Sequence, residues 1–225
     1  MSPSVDDLSL QEISVDLSIL QRADGSARLV QGDTSVLCGI FGPREVRSHV
    51  EHAQHATLEV LVNPENGHPS QRDRALERDL FHALSSMILL SAHPRSSITV
   101  ICQIERANGS VADCCLNTAC LALMEAGIPL KSMFAACSIA KLARGRLVVN
   151  PTRNQEAEAE VVLSVGITNA KKDIFWLVSH GSQSPDDVGP LAEKASDIAV
   201  QILTFLRTAI SSKVETMVPT QIKEQ

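Results

Sequence analysis

The sequence predicts an α+β fold, and three observations carry that expectation. Runs rich in β-branched and apolar residues lead into a helical run, and this order occurs twice along the chain. Glycine and proline clusters fall between the runs, where turns are needed. The 225 residues are 44% apolar, enough to bury a substantial core as one large domain. The expected architecture is two strand-then-helix repeats packed as mixed sheets with helices.

Residues 1–15 are polar and aperiodic and read as a flexible N-terminal tail, with 16–212 as the folded domain and 213–225 as a flexible C-terminal tail. SARLVQ and TSVLCGIF flank the Gly32-Asp33 pair, a hairpin signature. Residues 41–56 read as a loop, and TLEVLVN (57–63) alternates as a strand before the breaker cluster PENGHPS. A helix is expected over 73–92, because Leu76, Leu80, Leu84, Met87 and Ile88 recur at helical spacing and Pro94 follows. SITVICQI (97–104) is a strand, and ANGS then opens a second helix that stops at Gly127 and Pro129. The second repeat runs through FAACSIAKL, a turn at Arg144-Gly145, RLVVN, EVVLSVGIT and KKDIFWLVS. A last helix is expected from Pro190 to Ser211.

Composition narrows the function. A formal charge of −6 opposes unaided, sequence-blind grip on nucleic acid, which depends on cations neutralising phosphates. One Trp and no Tyr leave no evident set of stacking platforms for reading bases. The six cysteines sit inside apolar or helical stretches, so they read as reduced core thiols rather than a disulfide framework. The N-terminus is acidic and polar where a signal peptide would be basic and then apolar, and no apolar run reaches membrane-spanning length. The expected compartment is the cytosol, the nucleus or both.

Five groups of residues are candidates for chemistry. In ANGSVADCC, the Gly109-Ser110 turn precedes a helix N-terminus, where backbone N–H groups can seat an anion. The competing reading is a plain helix cap by Ser110, with Asp113 three residues on. Cys114, Cys115 and Cys120 lack zinc-site spacing and read as core. His49, His52 and His55 converge only if their segment is helical, and no HExxH pattern is present. Glu156, Glu158 and Glu160 share a face if extended, as a solvated strand edge or an acidic site. Arg72, Arg74 and Arg78 alternate with acids at the head of the first helix and read as a salt-bridged exposed face.

RADGSARLVQGDTSVLCGIFGPREV (22–46), HPRSSITVICQI (93–104) and LNTACLALMEAGIPL (116–130) together resemble the RNase PH family of phosphorolytic exoribonucleases, from about Leu20 to Arg207. Within that family the likeness is strongest to the exosome ring subunits of archaea and eukaryotes. The resemblance implies an RNase PH-like fold, of the ribosomal protein S5 domain 2 type. It also implies an anion site built from a glycine turn, an adjacent arginine and a second arginine before the long helix, with two aspartates near the scissile bond. Matched onto this chain, the turn is Gly109-Ser110 and the second arginine is Arg72. The turn arginine falls on Ala112, or on Val111 with a one-residue slip. The first aspartate falls on Glu156 and the second on Val162, with Glu160 placed to stand in for it if both lie on one strand.

The implied function is that of a catalytically degenerate exosome ring subunit that guides RNA toward 3′-to-5′ degradation and ribosomal RNA processing. Its implied partners are other RNase PH-like ring subunits, S1/KH cap subunits, an associated exoribonuclease and single-stranded RNA, with no cofactor, metal or membrane. Arg72, Arg44 and Arg47 are the candidates for RNA contact, and the implied location is the nucleus, with the nucleolus, and the cytoplasm. The alternative is a weakly active homodimeric nuclease, phosphorolytic or metal-dependent, acting on RNA or DNA through Glu156 and Glu160.

Overall fold

The computed structural model describes residues 10–46, 51–169, 173–182 and 185–217. In the first repeat β1 (Ile13–Leu17), β2 (Gly25–Gln31), β3 (Thr34–Glu45) and β4 (Thr57–Asn63) lead into α1 (Gln71–Met87), followed by β5 (Ser96–Arg106) and α2 (Val111–Glu125). The second holds β6 (Phe134–Lys141), β7 (Leu147–Val149), a short α3 (Arg153–Glu158), β8 (Val161–Thr168), β9 (Ile174–Gly181) and α4 (Pro185–Met217).

The strands form a five-stranded sheet ordered β1-β2-β3-β5-β4 and a four-stranded sheet ordered β7-β6-β8-β9. Among the described strands only β4 and β5 pair in parallel, and α1 provides the long crossover that a parallel pair requires. The first sheet is therefore mixed, as expected. The second is antiparallel at every described pairing, where a mixed sheet was expected: β6 lies between β7 and β8, which run the same way but do not pair with each other.

The core centres on α2, whose residues Asp113 to Leu123 are all buried. It packs against β2 and β3 of one sheet and β6 of the other, which a helix apolar on all sides can do. Asn117 ties it to the second sheet. Its side-chain amide donates to the Ala136 carbonyl at 3.0 Å, and its oxygen accepts from the Ala136 N–H at 2.8 Å. β7 reaches β6 only from Ile139 to Lys141, so the side chain stands where a strand neighbour is missing.

Several boundaries differ from those expected. β1 starts inside the presumed tail, and its ISVDL alternation pairs antiparallel with β2. β3 continues to Glu45, into the segment read as loop. α1 spans Gln71–Met87 rather than 73–92: Ile88 turns extended to pair with Leu130, and Leu90–Ala92 form a separate 3₁₀ turn. α4 begins at Pro185, holds Pro190 inside it, and runs past Ser211 into the presumed C-terminal tail. Its last turns are anchored there by a Lys213–Glu125 ion pair.

Candidate functional site: a filled anion seat

Because β4 and β5 are parallel, the chain leaves both at the same end of the first sheet, and α1 and α2 both start there. The helices run together to the opposite end, where Ile88 bridges Leu130. Arg72, in the first turn of α1, and the Gly109-Ser110 turn before α2 thus share one end of the fold. Arg72 is exposed.

The turn itself is committed to the protein. Gly109 has φ of +95°, and a Cβ there would stand 2.2 Å from the Pro151 carbonyl oxygen, so only glycine fits. Thr34 Oγ1 donates to the Gly109 carbonyl at 2.7 Å, and Arg153 N–H donates to the Asn108 carbonyl at 3.1 Å. Ser110 Oγ donates to the Pro151 carbonyl at 3.2 Å. Its backbone is left-handed, with φ of +50°, and it makes no side-chain cap bond, so the Ser110–Asp113 capping arrangement expected from the sequence does not form.

The Ser110 N–H points at an anion, and the anion is internal: it donates to Glu156 Oε1 at 2.7 Å. A carboxylate at a helix N-terminus accepts a charge-assisted bond and complements the helix dipole, as a phosphate would. Glu156 reaches this point from α3, a helix not foreseen from the sequence, where Glu156, Glu158 and Glu160 were weighed as a row only in the case of an extended segment. The signal was present, since Thr152 and Gln155 form a capping box after Pro151. Helical geometry also breaks up the expected row of carboxylates. Glu158 ends α3 and is exposed, and Glu160 lies outside β8 with its backbone bonded to Lys141 and Ser182.

Of the four positions matched to charged residues of the resemblance, two, Ala112 and Val162, carry no charge. Ala112 is in the first turn of α2, and Val162 lies on β8 opposite His180. Asp113 is fully buried beneath the turn, where its Oδ2 accepts from Ser138 Oγ, which in turn lies 2.6 Å from Ser164 Oγ. Burial pushes its carboxyl up to about 7, the serine hydroxyls work against that rise, and the nearby Glu156 adds to it.

The remaining candidates are scattered. Arg44 sits at the opposite end of the first sheet from Arg72, pairing with Ser97 near the start of β5. Its guanidinium contacts Asp24 at 3.2 Å and covers the Phe41 ring at 5.0 Å. Arg47 and His49 lie outside the described residues. His52 and His55 stack with ring centroids 4.5 Å apart, in a segment that is not helical. Cys114, Cys115 and Cys120 are buried, in keeping with core thiols. Among the described residues no three His, Cys, Asp or Glu side chains are grouped so as to hold a metal ion.

Two sheets enclosing a shared central helix, with a glycine turn at its head, define an RNase PH-type protein. The sequence matches both domains of the 3′ exoribonuclease (RNase PH) family, domain 1 over residues 9–129 and domain 2 over 132–189, and the chain belongs to that family. It is 30% identical to the Saccharomyces cerevisiae exosome complex component RRP46, over 90% of this chain and 96% of that protein. It is 28% identical to the Oryza sativa exosome complex exonuclease RRP46 homolog, over 91% and 92%. The rice Rrp46 crystal structure superposes with a TM-score of 0.87 at 30% identity, covering 92% of this chain and 97% of that one. An archaeal exosome core chain shares the fold, with a TM-score of 0.75 at 15% identity over 89% and 88%.

Proposed function

We propose that this chain is a ring subunit of an RNA exosome that guides single-stranded RNA and carries out no phosphorolysis of its own. The observation that carries the second half is the Ser110–Glu156 hydrogen bond, which puts a carboxylate where an attacking phosphate needs a donor. Phosphorolysis requires the anion fixed in line and its charge offset by preorganised donors. Here the turn offers Ala112 in place of a guanidinium and Glu156 as a competitor. Loss of one such donor costs roughly 10² to 10³ in rate.

Ring membership is supported by relatives that bear exosome names across nearly their whole length. The partners proposed on that ground are other RNase PH-like ring subunits, S1/KH cap subunits and an associated exoribonuclease, with the nucleus, nucleolus and cytoplasm as the location. The acidic chain suits a place in a shared assembly, where neighbours contribute to the positive path for RNA.

Affinity purification of the tagged chain should recover homologous ring subunits in equal amounts, and failure to do so would remove the scaffold reading. Incubating the purified chain with labelled RNA and inorganic phosphate should release no nucleoside diphosphate. Phosphate-dependent release abolished by Glu156→Ala would instead assign it phosphorolytic catalysis.

A further inference from the structure

The solvent face of α1 carries an unexpected concentration of positive charge for so acidic a chain. At about 100° per residue, Arg74, Arg78, Phe81 and His82 fall within an arc of about 100°. The core residues Leu80, Ala83, Leu84 and Met87 occupy the other side of the helix. All four stripe residues are exposed, Phe81 to 37% despite its apolar ring. The Phe81 and His82 rings meet edge to face with centroids 5.6 Å apart.

The acids interleaved with these arginines in sequence are not interleaved with them in space. Asp73 turns back to the Ser70 N–H and hydroxyl, both at 2.7 Å. Glu77 accepts from the Val62 N–H of β4 at 3.1 Å, toward the sheet. Asp79 projects on the side of Arg72, more than a quarter turn from the centre of the stripe. Arg74 and Arg78 make no ion pair among the described residues, so the salt-bridged face expected from their sequence neighbours does not form.

Resting on the proposed role in guiding RNA, we infer that this stripe is a single-stranded RNA track, with Arg74 and Arg78 on successive phosphates and Phe81 and His82 as stacking surfaces for bases. Charge complementarity selects the occupant. Two unpaired guanidiniums about 6 Å apart along the axis match a regularly charged backbone, and adjacent flat rings suit unstacked bases. Arg72 and Arg44 lie off this stripe, so the track differs from the contacts expected from the sequence.

The test uses the full-length chain, alone and assembled with its ring partners, and a fluorescent oligouridylate whose binding is followed by anisotropy between 50 and 200 mM salt, roughly the range over which phosphate contacts are lost. Arg74→Gln with Arg78→Gln should lower the slope of log affinity against log salt by about 1.4, or 0.7 for each phosphate contact. Phe81→Ser with His82→Ser should weaken binding about tenfold while leaving that slope unchanged. Arg207→Gln, an exposed cation on α4, controls for net charge and should change neither.

An unchanged slope in the arginine variant would overturn the inference, as would loss of ring partners on purification, which would assign the stripe to a protein interface. If the wild-type chain itself recovers no ring subunits, the proposed function fails independently of this track.

Discussion

The Ser110 N–H and the Glu156 carboxylate lie 2.7 Å apart, joining the head of α2 to α3 across the Gly109-Ser110 turn. Glu156→Gln keeps the shape and removes the charge, and should cost about 1 kcal/mol of stability by denaturant titration. Pairing Glu156→Ala with Ala112→Arg should do more, because it empties the seat and supplies a guanidinium beside it. Inorganic phosphate should then raise the Tm of the double variant while leaving the wild type unmoved. Equal shifts in both would show that the internal carboxylate does not compete.

Asp113 should make stability fall as the pH rises. Its carboxyl is raised in the folded chain to about 7 from the unfolded value of 3.8, so the native state holds the extra proton between them. The contribution is complete below the unfolded value and is lost as pH climbs through 7. The span corresponds to an effect on the order of 4 kcal/mol. Asp113→Asn should flatten this dependence, giving similar unfolding midpoints at pH 5 and pH 8, whereas the wild type should be the less stable at pH 8.

Asn117→Leu should be severe for a near-isosteric change. It strands both the N–H and the carbonyl of Ala136 in a buried strand, at a cost of about 2–4 kcal/mol. Hydrogen exchange of the Ala136 amide should accelerate more than that of residues paired by β7. Uniform acceleration along β6 would argue against this specific role.

Lys213 and Glu125 make a testable anchor for the end of α4. Burial opposes the Glu125 charge, but Lys213, the Ser18 hydroxyl and the Ser26 N–H outweigh it and hold the carboxyl below its usual value. Its stabilising contribution is therefore present above the ordinary carboxylate pKa and lost as pH falls through the folded value. Lys213→Ala should cost about 2 kcal/mol near neutral pH and less in acid, measured by urea unfolding.

Much of the fold was legible because periodicity and punctuation agree. The Gly32-Asp33 hairpin, the alternating β4 and the apolar α2 each announce themselves locally. Ile88 did not, since it continues the α1 stripe in sequence and leaves the helix only because Leu130, far along the chain, offers a bridge. The site was half legible. Gly109 and Ala112 could be placed by resemblance, yet the partner of Ser110 depends on a six-residue helix whose alternating glutamates imitate a strand. The charge stripe of α1 was hidden because neighbouring residues in sequence point to different sides of a helix, so acids adjacent to Arg74 and Arg78 in the string do not neutralise them in space.

The all-round burial of α2 has a consequence for how the molecule comes into being. During synthesis the first repeat emerges with this helix covered by one sheet only, its other flank and the unmet amide of Asn117 open to solvent. Until β6 arrives, the nascent half exposes surface that invites aggregation and chaperone capture. A protease cut between residues 129 and 132 would recreate that exposure in the mature protein, so neither half should persist alone.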